Sequence, residues 1–331
     1  MLEGLGLIGN IIILIIALAA LNKASDLTIT HSINVASVTG IGKTTVGFIL
    51  VAFSTSLPEL FVAVFSVLNP ENVGVSIGNV LGSNIVNICL ILGVCFLLIS
   101  LKFPEKTKVL PIIAKEDLGS LYFGLFIASI VPLGLIYIGY ASRFVGIALL
   151  VIFIYYMFQL SRAKTPAEQA LSSAEKSKLN KYIGFATLGA AGVVVCAYFI
   201  VESASYLALG VGIPPVVVGS TVVAFGTSLP ELSTSYDAVK KGHLELALGN
   251  IVGSCFMNIT LILGITLVTS PLAINMSAFS NVAIFSLITN LLLWYFLSNE
   301  RIGRREGIVL LFLYAVFMAT SLGWIQIAQT A

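Results

Sequence analysis

Apolar runs long enough to cross a bilayer follow one another along the whole chain, separated by short polar or Gly/Pro-rich joints. Their spacing predicts ten transmembrane helices, at 4–37, 43–68, 73–100, 116–137, 140–160, 181–209, 214–239, 244–269, 277–298 and 306–326. The second half of the first run, from Asn22 to Asn34, is polar enough to blur its boundary. The most hydrophilic stretch, 161–180, carries Pro166, Ser172, Ser173 and several charges. It reads as a linker between a segment 1–160 and a segment 181–331.

The two segments repeat each other. VAFSTSLPEL at 51–60 returns as VAFGTSLPEL at 223–232, with nine of ten positions identical. GNVLGSNIVNICLILG at 78–93 returns as GNIVGSCFMNITLILG at 249–264, with ten of sixteen identical. The offsets are 172 and 171 residues. Two blocks in one order at nearly one spacing mark two homologous halves of five helices each.

Five is odd, so the second half enters the membrane from the opposite side. The basic residues fit this. With both termini outside and 161–180 in the cytoplasm, 15 of the 17 Lys/Arg fall on the cytoplasmic side, leaving Lys23 and Arg143 as exceptions. The expected fold is therefore an all-α integral membrane protein of the cell membrane, with ten transmembrane helices in two inverted-topology repeats. Inverted repeats of this kind place a binding site near the bilayer midplane.

Composition agrees and narrows the partners. The chain of 331 residues is 58% hydrophobic and 10% charged, with mean hydropathy +1.05, against about 25% charged in soluble domains. A net charge of +2 gives no reason to expect a nucleic-acid partner. Cys89, Cys95, Cys196 and Cys255 lie in apolar runs without metal-ligand spacing and read as small buried hydrophobes. The N-terminal MLEGLGLIGN has no basic region ahead of its apolar run and reads as the start of a retained helix.

Each repeated block carries chemistry. Glu59 and Glu231 sit inside apolar segments, where an ionised group costs roughly 2.5–3.5 kcal/mol on insertion scales. Accepting that cost twice, at matching places, points to cation binding. Pro58 and Pro230 lack an N–H, so the carbonyls of Ser54 and Gly226 should lose their helical partners and helices two and seven should break. Backbone oxygens near Ala52–Thr55 and Ala224–Thr227 would then face a cation. Thr55 and Glu59 share a face, as do Thr227 and Glu231. Asn79, Ser83 and Asn87 form a stripe at a spacing of four, repeated by Asn250, Ser254 and Asn258. Gly78, Gly82, Gly249 and Gly253 let a neighbouring backbone come close.

The donors are hard oxygens, suited to calcium, which takes 6–8 oxygens at about 2.3–2.6 Å. No histidine or cysteine joins them, which argues against zinc or copper. No nucleophile–base constellation suggests an enzyme. A cation channel is the rival of another class, and broken helices in inverted halves favour a gated carrier over an open pore.

At these residues the chain resembles the sodium/calcium exchanger branch of the cation/calcium antiporter superfamily, in its short prokaryotic form. The STSLPE/GTSLPE pair and the two GN-x-x-GS-x-x-x-N blocks match that family's alpha repeats. The resemblance implies an antiporter working by alternating access, three sodium ions for one calcium. It implies Glu59, Glu231, Thr55 and Thr227 as calcium ligands. It implies Ser56, Ser228, Ser83, Ser254, Ala52 and Ala224, with both glutamates, as sodium ligands, and Asn87 and Asn258 as a central polar pair. No cofactor is implied; calcium and sodium are the cargo, the bilayer is the surroundings, and a monomer is the expected working unit. Two departures stand out. Ser54 replaces the family's usual glycine, and Asn258 stands where potassium-dependent members carry Asp. The long calcium-sensing insert of animal exchangers is missing. Proton/calcium exchange through the same two glutamates is the alternative.

Overall fold

The computed structural model describes residues 5–39, 52–68, 72–104, 126, 130, 142–162, 178–242, 244–270, 276–299 and 302–323. Among these the regular structure is entirely helical. The fourth predicted span, 116–137, lies outside the described residues but for Phe126 and Ile130, and so does most of the linker.

In chain order the helices are α1 (Gly6–Thr39), α2 (Ala52–Thr55), α3 (Leu57–Ser66) and α4 (Val73–Lys102). Next come α5 (Arg143–Arg162), α6 (Leu179–Val211), α7 (Pro215–Thr227) and α8 (Leu229–Lys240). The last three are α9 (Leu244–Met257, extended through Leu263–Thr269), α10 (Met276–Ser298) and α11 (Arg304–Ser321). Five of them are long and apolar enough to cross a membrane, and α7 with α8 makes a sixth span bent by 44°. This is a multi-pass membrane protein. Gly212 ends α6 in the left-handed conformation, φ 70°, and Pro214 just beyond prevents its continuation.

Two helices form the centre. The best spanning window of α4 is 67% buried and that of α9 is 83% buried, whereas α1 and α6 are 22% buried and turn most of their surface outward. Between apolar helices in lipid there is little hydrophobic drive, so association relies on close packing across small residues. Gly78 and Gly82 of α4 meet the backbone of Val216 and Ser220 on α7, and Gly219 of α7 meets Val75 and Asn79 in return. A Cβ at any of the three would strike main-chain atoms. Gly146 of α5 lies against Gly264 of α9, where an added Cβ would stand 2.8 Å from the carbonyl oxygen. Gly307 of α11 lies against Gly93 of α4 at the same 2.8 Å.

The long helices α1 and α6 pack along one another, with Gly189 against Thr28 and Ala24. Each also covers an interrupted helix from the other half of the chain. Leu18 of α1 sits over Gly226 of α7, and Tyr198 of α6 makes an edge-to-face contact with Phe65 of α3, centroids 5.5 Å apart.

Three stretches widen from α to π geometry: Val86–Leu92 in α4, Gly219–Val223 in α7 and Asn258–Ile262 in α9. Two of them contain a hydroxyl bonded into the turn. Thr221 Oγ1 donates to the Val217 carbonyl at 2.7 Å, and Thr260 Oγ1 donates to the Phe256 carbonyl at 2.6 Å. A side chain bonded to the carbonyl four residues back competes with the backbone N–H that would normally take it. Val86–Leu92 has no such hydroxyl, and nothing in the structure explains its wider turn.

Candidate functional site

Both interruptions fall one residue before the Leu-Pro-Glu triplets. Ser56 separates α2 from α3 and Ser228 separates α7 from α8, with nearly equal backbone angles (φ −84°, ψ 4° and φ −85°, ψ 6°). Each proline then occupies the first turn of the next helix, where its missing N–H costs nothing. Each glutamate sits in that same first turn, at the positive end of a helix dipole.

The carbonyls behave differently from the sequence expectation. Backbone N–H groups at the Ser228 cap reach the carbonyls of Ala224 and Gly226, the former at 3.1 Å, and Thr227 Oγ1 adds a contact of 3.4 Å to Ala224. Pro230 removes the donor of the Gly226 carbonyl, and a backbone N–H at the Ser228 cap takes it instead, while the Ala224 carbonyl keeps its ordinary four-residue bond from Ser228. A carbonyl has two lone pairs, so Gly226, with one backbone bond, still has one to offer a cation.

Around the breaks gathers a buried polar cluster. Glu59, Glu231, Thr55, Thr227, Ser83, Ser254, Asn79 and Asn87 are all buried, with Ser56, Ser228, Asn250 and Asn258 nearly so. Ala224 is buried as well, and Ala52 opens α2. The bonds come in matched pairs. Ser83 Oγ donates to Glu59 Oε1 at 3.4 Å, and Ser254 Oγ donates to Glu231 Oε1 at 3.2 Å. Thr227 Oγ1 donates to Asn79 Oδ1 at 3.0 Å, and Thr55 Oγ1 donates to Asn250 Oδ1 at 3.2 Å. Ser83 lies 3.5 Å from the Thr227 hydroxyl, and Ser254 lies 3.3 Å from that of Thr55. The threonines thus reach across to the stripe of the opposite half.

The unpaired atoms are as informative as the bonded ones. Among the described residues, Glu59 Oε2, Glu231 Oε2, Ser56 Oγ, Ser228 Oγ, Asn87 Oδ1 and Asn258 Oδ1 are buried without a hydrogen-bond partner. Burying a polar atom unpaired costs roughly 1–3 kcal/mol. Six such oxygens, two of them carboxylate, are hard donors of the kind that sodium and calcium take. Among the described residues no three His, Cys, Asp or Glu side chains gather anywhere, so the acidic charge of the site rests on the two glutamates.

Three features escaped the sequence reading. The stripe does not continue evenly to Asn87 and Asn258, because the π turns begin at Val86 and at Asn258 and change the angular step between residues. Asn250 is held by an extra bond, Nδ2 to Ser235 Oγ at 3.1 Å. Its signal was available, since Ser235 lies four residues beyond Glu231, although the matching position in the first half is Ala63. Asn84 links α4 to α9 through two hydrogen bonds.

Comparison with known proteins decides the family. The sodium/calcium exchanger protein family matches residues 9–161 and again 181–323. The chain belongs to the sodium/calcium exchanger family. This exchanger-family chain is 31% identical over 347 residues to a sodium/calcium exchanger of Methanosarcina acetivorans, covering 93% of this chain and 97% of that one. It is 31% identical to an inner membrane protein of Escherichia coli, covering 85% and 86%. Among solved structures it is similar to the sodium-calcium exchanger NCX_Mj soaked with sodium and strontium. There the TM-score is 0.63 at 28% identity, covering 95% of this chain and 99% of that one. The family is one of transporters, not of enzymes.

Proposed function

We propose that this protein exchanges sodium for calcium across the cell membrane by alternating access. The observation that carries the reading is the pair of buried carboxylates, each with one oxygen bonded to a serine and the other unpaired. Calcium takes both glutamates and the backbone oxygens of Thr55 and Thr227. Two bidentate carboxylates and two carbonyls supply about six oxygens. Sodium occupies flanking positions made by Ser56, Ser83 and the Ala52 carbonyl on one side, and Ser228, Ser254 and the Ala224 carbonyl on the other. Asn87 and Asn258 form the polar middle. The ions compete for the same two carboxylates, and mutually exclusive occupancy couples their movements.

The wider architecture is part of the proposal. Ten spans form two inverted five-helix repeats, 1–160 and 181–331, with termini outside and 161–180 in the cytoplasm. The two stretches matched by the family, the paired hydrogen bonds and the two proline breaks support it. The working unit is the monomer, since one chain carries both carboxylates.

Three sodium ions on a site of charge −2 leave +1, whereas one calcium leaves zero. Exchange at three to one therefore moves one net charge, worth roughly 2.3 kcal/mol per 100 mV. Proteoliposomes loaded with sodium and diluted into sodium-free buffer should take up calcium. A pH gradient alone should drive none; uptake driven by that gradient alone would transfer the coupling to protons.

Clamping the potential tests the charge count. Sodium efflux then carries three positive charges out for two carried in, so an inside-positive potential should speed uptake and an inside-negative one slow it. Uptake indifferent to potential would sink the stoichiometry.

A further inference from the structure

Asn84 stands beside the site, outside the proposed ligand set. It is fully buried, and its side chain makes two directional bonds. Nδ2 donates to the carbonyl of Cys255 at 3.3 Å. Oδ1 accepts from Nδ2 of Asn258 at 3.1 Å. A backbone carbonyl can only accept, so the Asn84 amide must turn its NH2 toward Cys255 and its oxygen toward Asn258. That oxygen can only accept in turn, so Asn258 must present its own NH2 to Asn84. The relay leaves Asn258 one way to face, with Oδ1 turned from Asn84. Among the described residues that oxygen is buried and unpaired.

The other half lacks this device. The position matching Asn84 in the second block is Cys255, and the one matching Asn258 is Asn87. Asn87 has the Cys255 thiol as its hydrogen-bonding neighbour, and among the described residues neither of its amide atoms has an oxygen or nitrogen partner. A thiol is a weak acceptor and cannot hold an amide as a carboxamide oxygen does. The central pair is therefore unequal: Asn258 is held by a carboxamide oxygen, Asn87 by nothing stronger than a thiol.

We propose that Asn84 is a positioning residue for ion binding, fixing the Asn258 carboxamide so that oxygen and not NH2 faces the cation. The proposal rests on the sodium/calcium reading. A cation beside an amide is attracted by its oxygen and repelled by its NH2, so a free amide binds less well than an oriented one. Losing the orientation weakens binding without touching a ligand atom.

The test is a double-mutant cycle on calcium affinity, read from calcium-dependent thermal stabilisation of the purified protein. This readout needs no turnover, and the melting temperature without calcium reports folding separately. Asn84→Leu, nearly the same size, should weaken calcium binding about tenfold, as should Asn258→Ala. The double variant should match Asn258→Ala alone, because residues acting as one unit are not additive. Additive losses, or no loss in Asn84→Leu, would overturn the proposal. Should Asn84→Leu fail to fold, Cys255→Asn decides. It gives Asn87 a stronger acceptor than the thiol and should tighten calcium binding; unchanged or weaker binding would count against the proposal. A wild-type protein indifferent to calcium would sink the exchange reading itself, and this inference with it.

Discussion

Glu59→Gln and Glu231→Gln should each lower calcium transport by at least about 30-fold, in line with the roughly 2–5 kcal/mol that removing a buried, bonded charge costs a complex. Glutamine keeps the shape of glutamate and one oxygen to accept the serine bond that Ser83 or Ser254 donates. It puts an NH2 where an unpaired Oε2 now stands. The site loses half its negative charge and gains a donor aimed at the cation. Folding should survive, because replacing a buried charge by a neutral group of equal size removes a desolvation penalty. The two variants should fail alike, since each carboxylate takes one bond from the matching serine and keeps one oxygen unpaired. Calcium uptake in proteoliposomes, with melting in calcium-free buffer as the control, is the measurement. Wild-type uptake in both variants would refute the site.

Gly82→Ala should be the most damaging single-methyl change in the centre of the molecule. A Cβ there runs into the main chain of Ser220, and backbone cannot rotate aside as a side chain can. Overpacking typically costs about 1–3 kcal/mol, and a clash with main chain belongs at or above the top of that range. The strain falls one residue before Ser83, so calcium affinity should drop together with the melting temperature. Gly184→Ala is the matched control. Gly184 also lies within a helix, but nothing lies within 4 Å of an added Cβ, and alanine improves helix propensity by up to about 1 kcal/mol. A melting temperature unchanged in Gly82→Ala would mean that α4 and α7 are not held in backbone contact.

Both results lean on residues the sequence already marked. A proline four positions after a carbonyl, and a glutamate beside it in an apolar run, are local facts that need no third dimension. The repeated blocks made them legible twice, and Gly78 and Gly82 announced a close helix crossing for the same reason. Asn84 was hidden because its two bonds run to α9, 171 and 174 residues away. The Thr55–Asn250 and Thr227–Asn79 bonds were hidden likewise, 195 and 148 residues apart. The π turns leave no mark on hydrophobic period in runs that are apolar on every side. The recaptured Gly226 carbonyl shows a further limit: proline removes one donor, but whether another arrives depends on how tightly the turn closes.

Because α1 lies on α7, α6 on α3, α5 on α9 and α11 on α4, neither half owns an interior. One apolar core takes Ile77, Ile88 and Phe96 from the first half and Ile251, Phe256 and Phe317 from the second. Cutting the polypeptide within 163–177 would sever the sequence without dividing the fold. With one interior shared between the two segments, a substitution in either is felt by both. They can diverge one position at a time, as Asn84 and Cys255 have, only as far as their shared interior allows.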